Sequence, residues 1–252
     1  MFSFIVTLFT VICYQPLLNL LVFTYNTIPG SDIGIVIIIL TLIIKLLLYP
    51  FSRSAIKAQK SMNELQPKIS ELKEKYKDDK EKQAKEMMVL YKEHKINPFS
   101  SCLPLLIQLP FLIAIYQVFN VGLRNGSFDL LYVFIENPGQ INTMAFGLID
   151  MAKPFALFAV LAGLAQYWQA KMMMSQRPEV KSKGSADEDI SAIMSKQMTV
   201  MMPIMTVFIG WNLPGGLVFY WLLLTLFTGA QQVFTLRKDK KKDLPVEVID
   251  AK

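Results

Sequence analysis

The chain has almost no thiol or imidazole chemistry: its only cysteines are Cys13 and Cys102, far apart in apolar surroundings, and its one histidine is His94. A disulfide framework is therefore not expected, and His94 has no second ligand type close by to hold a metal ion. There is no glycine-rich phosphate loop and no pairing of nucleophile with base. Neither an enzyme nor a bound cofactor is expected.

Charge is the other scarcity. Only 18% of residues are charged against 53% hydrophobic, and the mean hydropathy is +0.37. Residues 1–31, 33–44, 96–123, 154–170 and 197–236 carry no charged side chain at all. Runs of this length exclude a water-soluble domain and suit helices that cross a bilayer core about 30 Å thick in roughly 20 residues. Blocks 35–44 and 217–226 are apolar on nearly all sides rather than alternating, which excludes an outer-membrane barrel.

The spacing predicts five spans, at about 32–50, 103–121, 154–170, 199–211 and 215–234. Pro50 favours an end to the first, Pro110 a bend in the second, and Asn212-Leu-Pro-Gly-Gly216 supplies the reversal between the last two. Residues 51–97 hold 12 Lys/Arg, 171–196 hold 5 and 237–252 hold 6, whereas 122–153 hold only Arg124 and Lys153. Basic segments alternate with poorly basic ones, which orients the amino end outside and the carboxyl end in the cytoplasm.

Residues 1–31 form an amino-terminal apolar segment read as retained, since no basic n-region or cleavage pattern marks a signal peptide. Gln15, Pro16, Asn19 and Asn26 recur too often for a comfortable sixth crossing and favour a helix lying in the outer interface. Within 54–95 the pattern turns amphipathic: Leu65, Ile69, Leu72 and Tyr76 share one helix face, and Asp78-Asp79 breaks it. Met87 and Tyr91 then share a face of a second helix. The pair reads as a cytoplasmic hairpin, either a plain connector or a partner contact. The polar loop 175–196 has no periodicity, and the basic tail 237–252 suits anionic lipid or ribosomal RNA backbone as well as plain topology anchoring.

One charge does sit inside a span. Lys45 lies about twelve residues into the first, where ionisation costs about 3 kcal/mol on translocon scales. It either snorkels toward Pro50, about 7.5 Å further along the helix, or faces a wet cavity. Gln108, Gln166, Gln169, Trp221 and Gln231 are candidate walls of such a cavity, and no acidic residue in the spans can neutralise the ammonium. A counter-charge must come from substrate, lipid or water.

Several blocks together carry a resemblance: Lys45-Leu-Leu-Leu-Tyr-Pro50, Leu65-Gln-Pro-Lys-Ile69, Asn97-Pro98 leading to Cys102-Leu-Pro-Leu-Leu-Ile-Gln-Leu-Pro110, and Leu213-Pro-Gly-Gly-Leu-Val-Phe-Tyr-Trp221 ending in Gln231-Gln232. The chain resembles the YidC/Oxa1/Alb3 family of membrane protein insertases, most closely a short bacterial form. The resemblance implies an all-α polytopic membrane protein: a five-helix core over 32–236, a cytoplasmic helical hairpin and an outer interfacial helix. It implies residence in the bacterial inner membrane and a hydrophilic groove through which newly made membrane proteins are inserted and helped to fold. Small proteins with short translocated ends are the expected clients, with the ribosome, the secretion channel and membrane lipids as further partners. Lys45 corresponds to the groove's basic residue, with Gln169 and Trp221 as further groove residues. Two departures stand out: the basic residue is commonly Arg, which is not equivalent to Lys, and the glycine-rich stretch after Asn-Pro is Phe99-Ser100-Ser101 here. A small-solute transporter, which would show inverted repeats, and a structural membrane subunit, indifferent to replacement of Lys45, are the alternatives.

Overall fold

The computed structural model describes residues 2–94, 96–97, 103–120, 128–174 and 197–240. The join at Phe99–Ser101, Cys102, the loop 175–196 and residues 241–252 of the tail lie outside the described residues. Helices dominate. In chain order they are α1 (Phe2–Phe9), a π-turn (Thr10–Tyr14), α2 (Gln15–Thr27), α3 (Ile33–Leu47), α4 (Tyr49–Lys75), α5 (Lys80–Glu93), α6 (Leu103–Asn120), α7 (Ala156–Met174), a second π-turn (Gln197–Met201), α8 (Met202–Gly210) and α9 (Gly215–Lys240).

The helix starts follow from local chemistry. The Asp32 carboxylate accepts from the amides of Gly34 and Ile35, satisfying donors that a helix start leaves unpaired. Its second oxygen accepts from the Phe146 amide and ties α3 to the segment 128–155. The first amides of α9 are met in the same way, Gly215 donating to the Lys153 carbonyl and Gly216 to that of Met151. That segment also contains a two-stranded antiparallel ladder, β1 (Met144–Ala145) with β2 (Ile149–Asp150), in which Met144 faces Asp150 and Ala145 faces Ile149. Burial alone would raise the Asp150 carboxyl, but hydrogen bonds from the Thr143 and Lys153 side chains and the Ala152 amide hold it below its ordinary value. One end of the bundle is therefore closed by 128–155 together with the starts of α3 and α9.

The other end carries the charges. α3 stops at Leu47 and α4 sets off at 66° to it after a break at Leu48. Pro50 lies in the first turn of α4, where its missing N–H costs little, while its ring would clash with the carbonyl four residues back in an unbroken helix. Asp79 caps α5 through the Lys82 amide, and the Gln83 amide group donates to the Lys73 carbonyl across the turn. Leu65 and Ile69 are buried, whereas Leu72, Tyr76, Met87 and Tyr91 are half-buried. The base of α4 is pinned by Asn63, whose side chain donates to the Met173 carbonyl, and by an apolar contact of Ile56 with Met173 and Leu236.

The main core joins α2, α3, α6, α7 and α9 through Leu21, Val36, Ile37, Leu40, Ile115, Val118, Ala162 and Tyr220. α7 and α8 meet along a seam of small residues. A side-chain carbon on Gly163 would come 2.5 Å from Val207 and 3.0 Å from the Pro203 carbonyl, and one on Gly210 would come 3.1 Å from Ala159. Such seams let helix backbones approach where lipid supplies no hydrophobic drive. The outward faces stay apolar: Leu157, Val160, Leu161, Leu164, Ile204 and Phe208 are exposed, a surface that water penalises and lipid tails do not.

By length and composition, Ser3–Thr27 and Gly215–Leu236 are long and apolar enough to cross a membrane, as is the bent pair α3 and α4 if it counts as one span. The helix from Gly215 runs on to Lys240, beyond its last apolar residue. α6 is one helix from Leu103 to Asn120 with Pro110 inside it.

Candidate functional site: a polar cavity around Lys45

Lys45 is half-buried, and its Nζ donates to Thr228 Oγ1 across 2.8 Å. It does not run along the α3 surface toward Pro50; it points at α9. The cavity it enters measures about 360 Å3, within the range of small ligand pockets. Five helices wall it, mostly from their halves nearer the charged end: Ile44, Lys45 and Leu48 close α3, Phe51, Ser52, Ala55, Ile56 and Gln59 come from the first turns of α4, Gln108 from α6, and Gln166 and Gln169 from α7. α9 contributes Trp221, Leu224, Thr225, Thr228 and Gln232.

The bend after Leu48 makes this possible. A straight continuation of α3 would carry Ser52, Ala55, Ile56 and Gln59 away from α9, whereas the 66° turn brings the first turns of α4 across the bundle. Toward the opposite end Gln108 donates to the hydroxyl of Tyr220, a fully buried residue at 3.1 Å, and beyond it lies the apolar packing of Ile37, Leu40, Ile115 and Val218. The Thr206 hydroxyl donates to Gln166 Oε1 and fixes that side chain from α8.

Of the residues singled out from sequence, Lys45, Gln108, Gln166, Gln169 and Trp221 all line the cavity. Gln231 does not: its amide group reaches the Tyr49 carbonyl at 3.5 Å, bracing the bend, and its neighbour Gln232 faces the cavity. One residue along a helix turns the side chain by about 100°, which here puts Gln232 on the cavity side and Gln231 beside the bend. Ser52, Gln59, Thr225, Thr228 and Gln232 are cavity residues that sequence reasoning missed. A signal was present on α9, where Trp221, Thr225, Thr228 and Gln232 step by four, three and four. Among the described residues the lining holds one cation and no Asp or Glu. Its chemistry is that of a polar, singly positive recess that offers an acidic group a counter-charge.

The sequence description of a known family, the 60Kd inner membrane protein, matches residues 23–242. The chain belongs to that family. Among its relatives, "Membrane protein insertase YidC" of Clostridium tetani is 34% identical over 213 residues, 84% of this chain and 86% of the relative. The protein of the same name from Geobacter sulfurreducens is 35% identical over 88% of this chain, which spans only 37% of that relative's length. Among solved structures, an active YidC insertase with its first transmembrane domain resolved matches at a TM-score of 0.55 and 28% identity, over 86% of this chain and 45% of the other. Family membership places the chain among bacterial inner-membrane proteins whose named activity is insertion of membrane proteins.

Proposed function

We propose that this chain is a membrane protein insertase and chaperone, working through the cavity around Lys45. The observation that carries the reading is the convergence of one cation and eight uncharged polar side chains, with no acidic residue, on one side of an apolar bundle. The cavity faces the basic end, which the charge distribution assigns to the cytoplasm. An acidic or polar segment entering from there travels a shorter distance through hydrocarbon, and the attached apolar segment gains about 25 cal/mol per Å2 on sliding into lipid. No nucleotide is needed for that step.

Five spans accompany this reading: α3, α6, α7, the second π-turn with α8, and α9. The domain reading keeps 32–236 as the insertase core with 54–95 as its cytoplasmic hairpin, and 237–252 as a basic tail that meets lipid headgroups or a ribosome. Residues 1–31 hold an amino-terminal apolar segment followed, over about 14–28, by an outer helix in the plane of the interface. In support, Gln15 and Asn19 donate to the Leu130 carbonyl, Asn26 donates to that of Glu136, and the Tyr25 hydroxyl accepts from the Asn142 amide. These ties follow α2 for about 16 Å at 1.5 Å per residue, so a transmembrane α2 would carry the backbone of 130–142, which is neither helix nor strand, into hydrocarbon, where its N–H and C=O groups find no water. Newly made membrane proteins with short acidic outer ends are the proposed clients, with the secretion channel as a further partner.

The test is rescue. In a bacterium depleted of its own insertase, the chain restores growth and the insertion of a small single-span protein, scored by protease access to its outer end. Growth without restored insertion, or no rescue in several hosts, would contradict the reading.

A further inference from the structure

The hydroxyls in the cavity wall have their protons committed elsewhere. Ser52 donates to the Leu48 carbonyl and Thr225 to the Trp221 carbonyl, each one turn back in its own helix. What they turn toward the cavity are lone pairs. Thr228 likewise donates to the Leu224 carbonyl, and its oxygen already accepts from Lys45. Gln232 adds an amide: it lines the cavity and is only 4% exposed, and its Oε1, like that of Gln231, is buried with no hydrogen-bond partner among the described residues. A buried carbonyl oxygen left unpaired is unfavourable, and because Gln232 lines the cavity, a turn of its side chain that meets a donor there relieves that cost.

Lys45 supplies the counter-charge for a carboxylate, but the acceptors opposite it need N–H groups. Client segments differ in side chains, and a fixed acceptor serves them all only through a donor that every residue except proline carries, the backbone amide. We infer that Gln232, with Thr225 and Ser52, accepts hydrogen bonds from the backbone N–H groups of an extended client segment held beside Lys45. This rests on the insertase reading and adds its recognition rule. Gln232 is then a specificity-determining residue that discriminates against proline-rich translocated ends regardless of their charge.

The experiment compares two clients of equal charge whose short outer ends differ only in carrying alanines or prolines at four successive positions, with insertion scored in insertase-depleted cells. With the wild-type chain the alanine client inserts about fivefold better than the proline client. In Gln232→Met, which keeps the shape and removes the acceptor, the alanine client falls and the two come within twofold of each other. Thr225→Val removes a second acceptor at constant shape and narrows the gap in the same direction, which keeps the test decisive if the Gln232→Met protein does not accumulate. Indifference of the wild type to proline, or an undiminished gap in both variants, overturns the inference alone. Failure of the wild type to insert even the alanine client overturns the insertase reading and this inference with it.

Discussion

Lys45→Glu is expected to lower insertion of a client with an acidic outer end at least tenfold, while Lys45→Arg stays within about twofold of wild type and Lys45→Ala falls between them. The order follows from the lining, where Lys45 is the one ionised group. At ~6 Å and an effective dielectric of ~20, one charge pair contributes about 3 kcal/mol, and glutamate turns that attraction into repulsion. Water in the recess screens part of it, which is why tenfold rather than a hundredfold is the expected floor. Arginine keeps the charge and can still donate to Thr228. A second client with a neutral outer end separates electrostatics from damage to the fold, since the spread among the four proteins should shrink to within about threefold for it. Equal insertion of the acidic client by all four would remove the electrostatic role of the cavity.

A second large effect is expected at the seam of α7 and α8, just behind the cavity wall. Gly163→Leu forces α7 off α8, because even its first carbon would lie 2.5 Å from Val207 and 3.0 Å from a backbone carbonyl that has no rotamer to escape into. Overpacking of this kind costs about 1–3 kcal/mol. The loss should appear as a lower denaturation temperature in detergent and a reduced level in the membrane. Insertion should fall with it, because α8 fixes Gln166 through Thr206. Leu164→Phe, on the 59% exposed lipid-side face one residue away, should leave both measurements within error. An unchanged denaturation temperature in Gly163→Leu would show that the seam is looser than its geometry.

The apolar blocks made most of the helices legible, because a chain without charge over 12 to 40 residues has few ways to satisfy its backbone. The end of α3 near Pro50 and the turn at Asp78-Asp79 followed from proline and capping chemistry. The lone lysine and the glutamines on α6 and α7 were legible as cavity walls because a polar side chain in such a run is an anomaly that must be resolved somewhere. Ser52 and Gln59 were not, since they follow Pro50 and read as the first residues outside the membrane. Only the angle between α3 and α4 returns them to the cavity, and a helix–helix angle has no signature in composition. The choice between Gln231 and Gln232 turned on helical register, which the stripe from Trp221 to Thr228 contained and residue type alone did not.

The amino-terminal helix shows a similar division. Composition marked residues 1–31 as apolar, and the polar positions within it suggested an interface. What composition did not contain was the partner of those positions, the carbonyls of Leu130 and Glu136 more than a hundred residues away. The family match begins at residue 23, so α1 and the first half of α2 lie outside the part shared by that comparison.

The claim at the centre of this account is that position 45 faces a wet recess open to the cytoplasm. It is tested most directly by Lys45→Cys in a chain freed of Cys13 and Cys102, treated with a charged, membrane-impermeant thiol reagent from each side in turn. Labelling from the cytoplasmic side, slowed severalfold while a client segment is held in the cavity, is the predicted result. Labelling from the outer side only, or from neither, would contradict it.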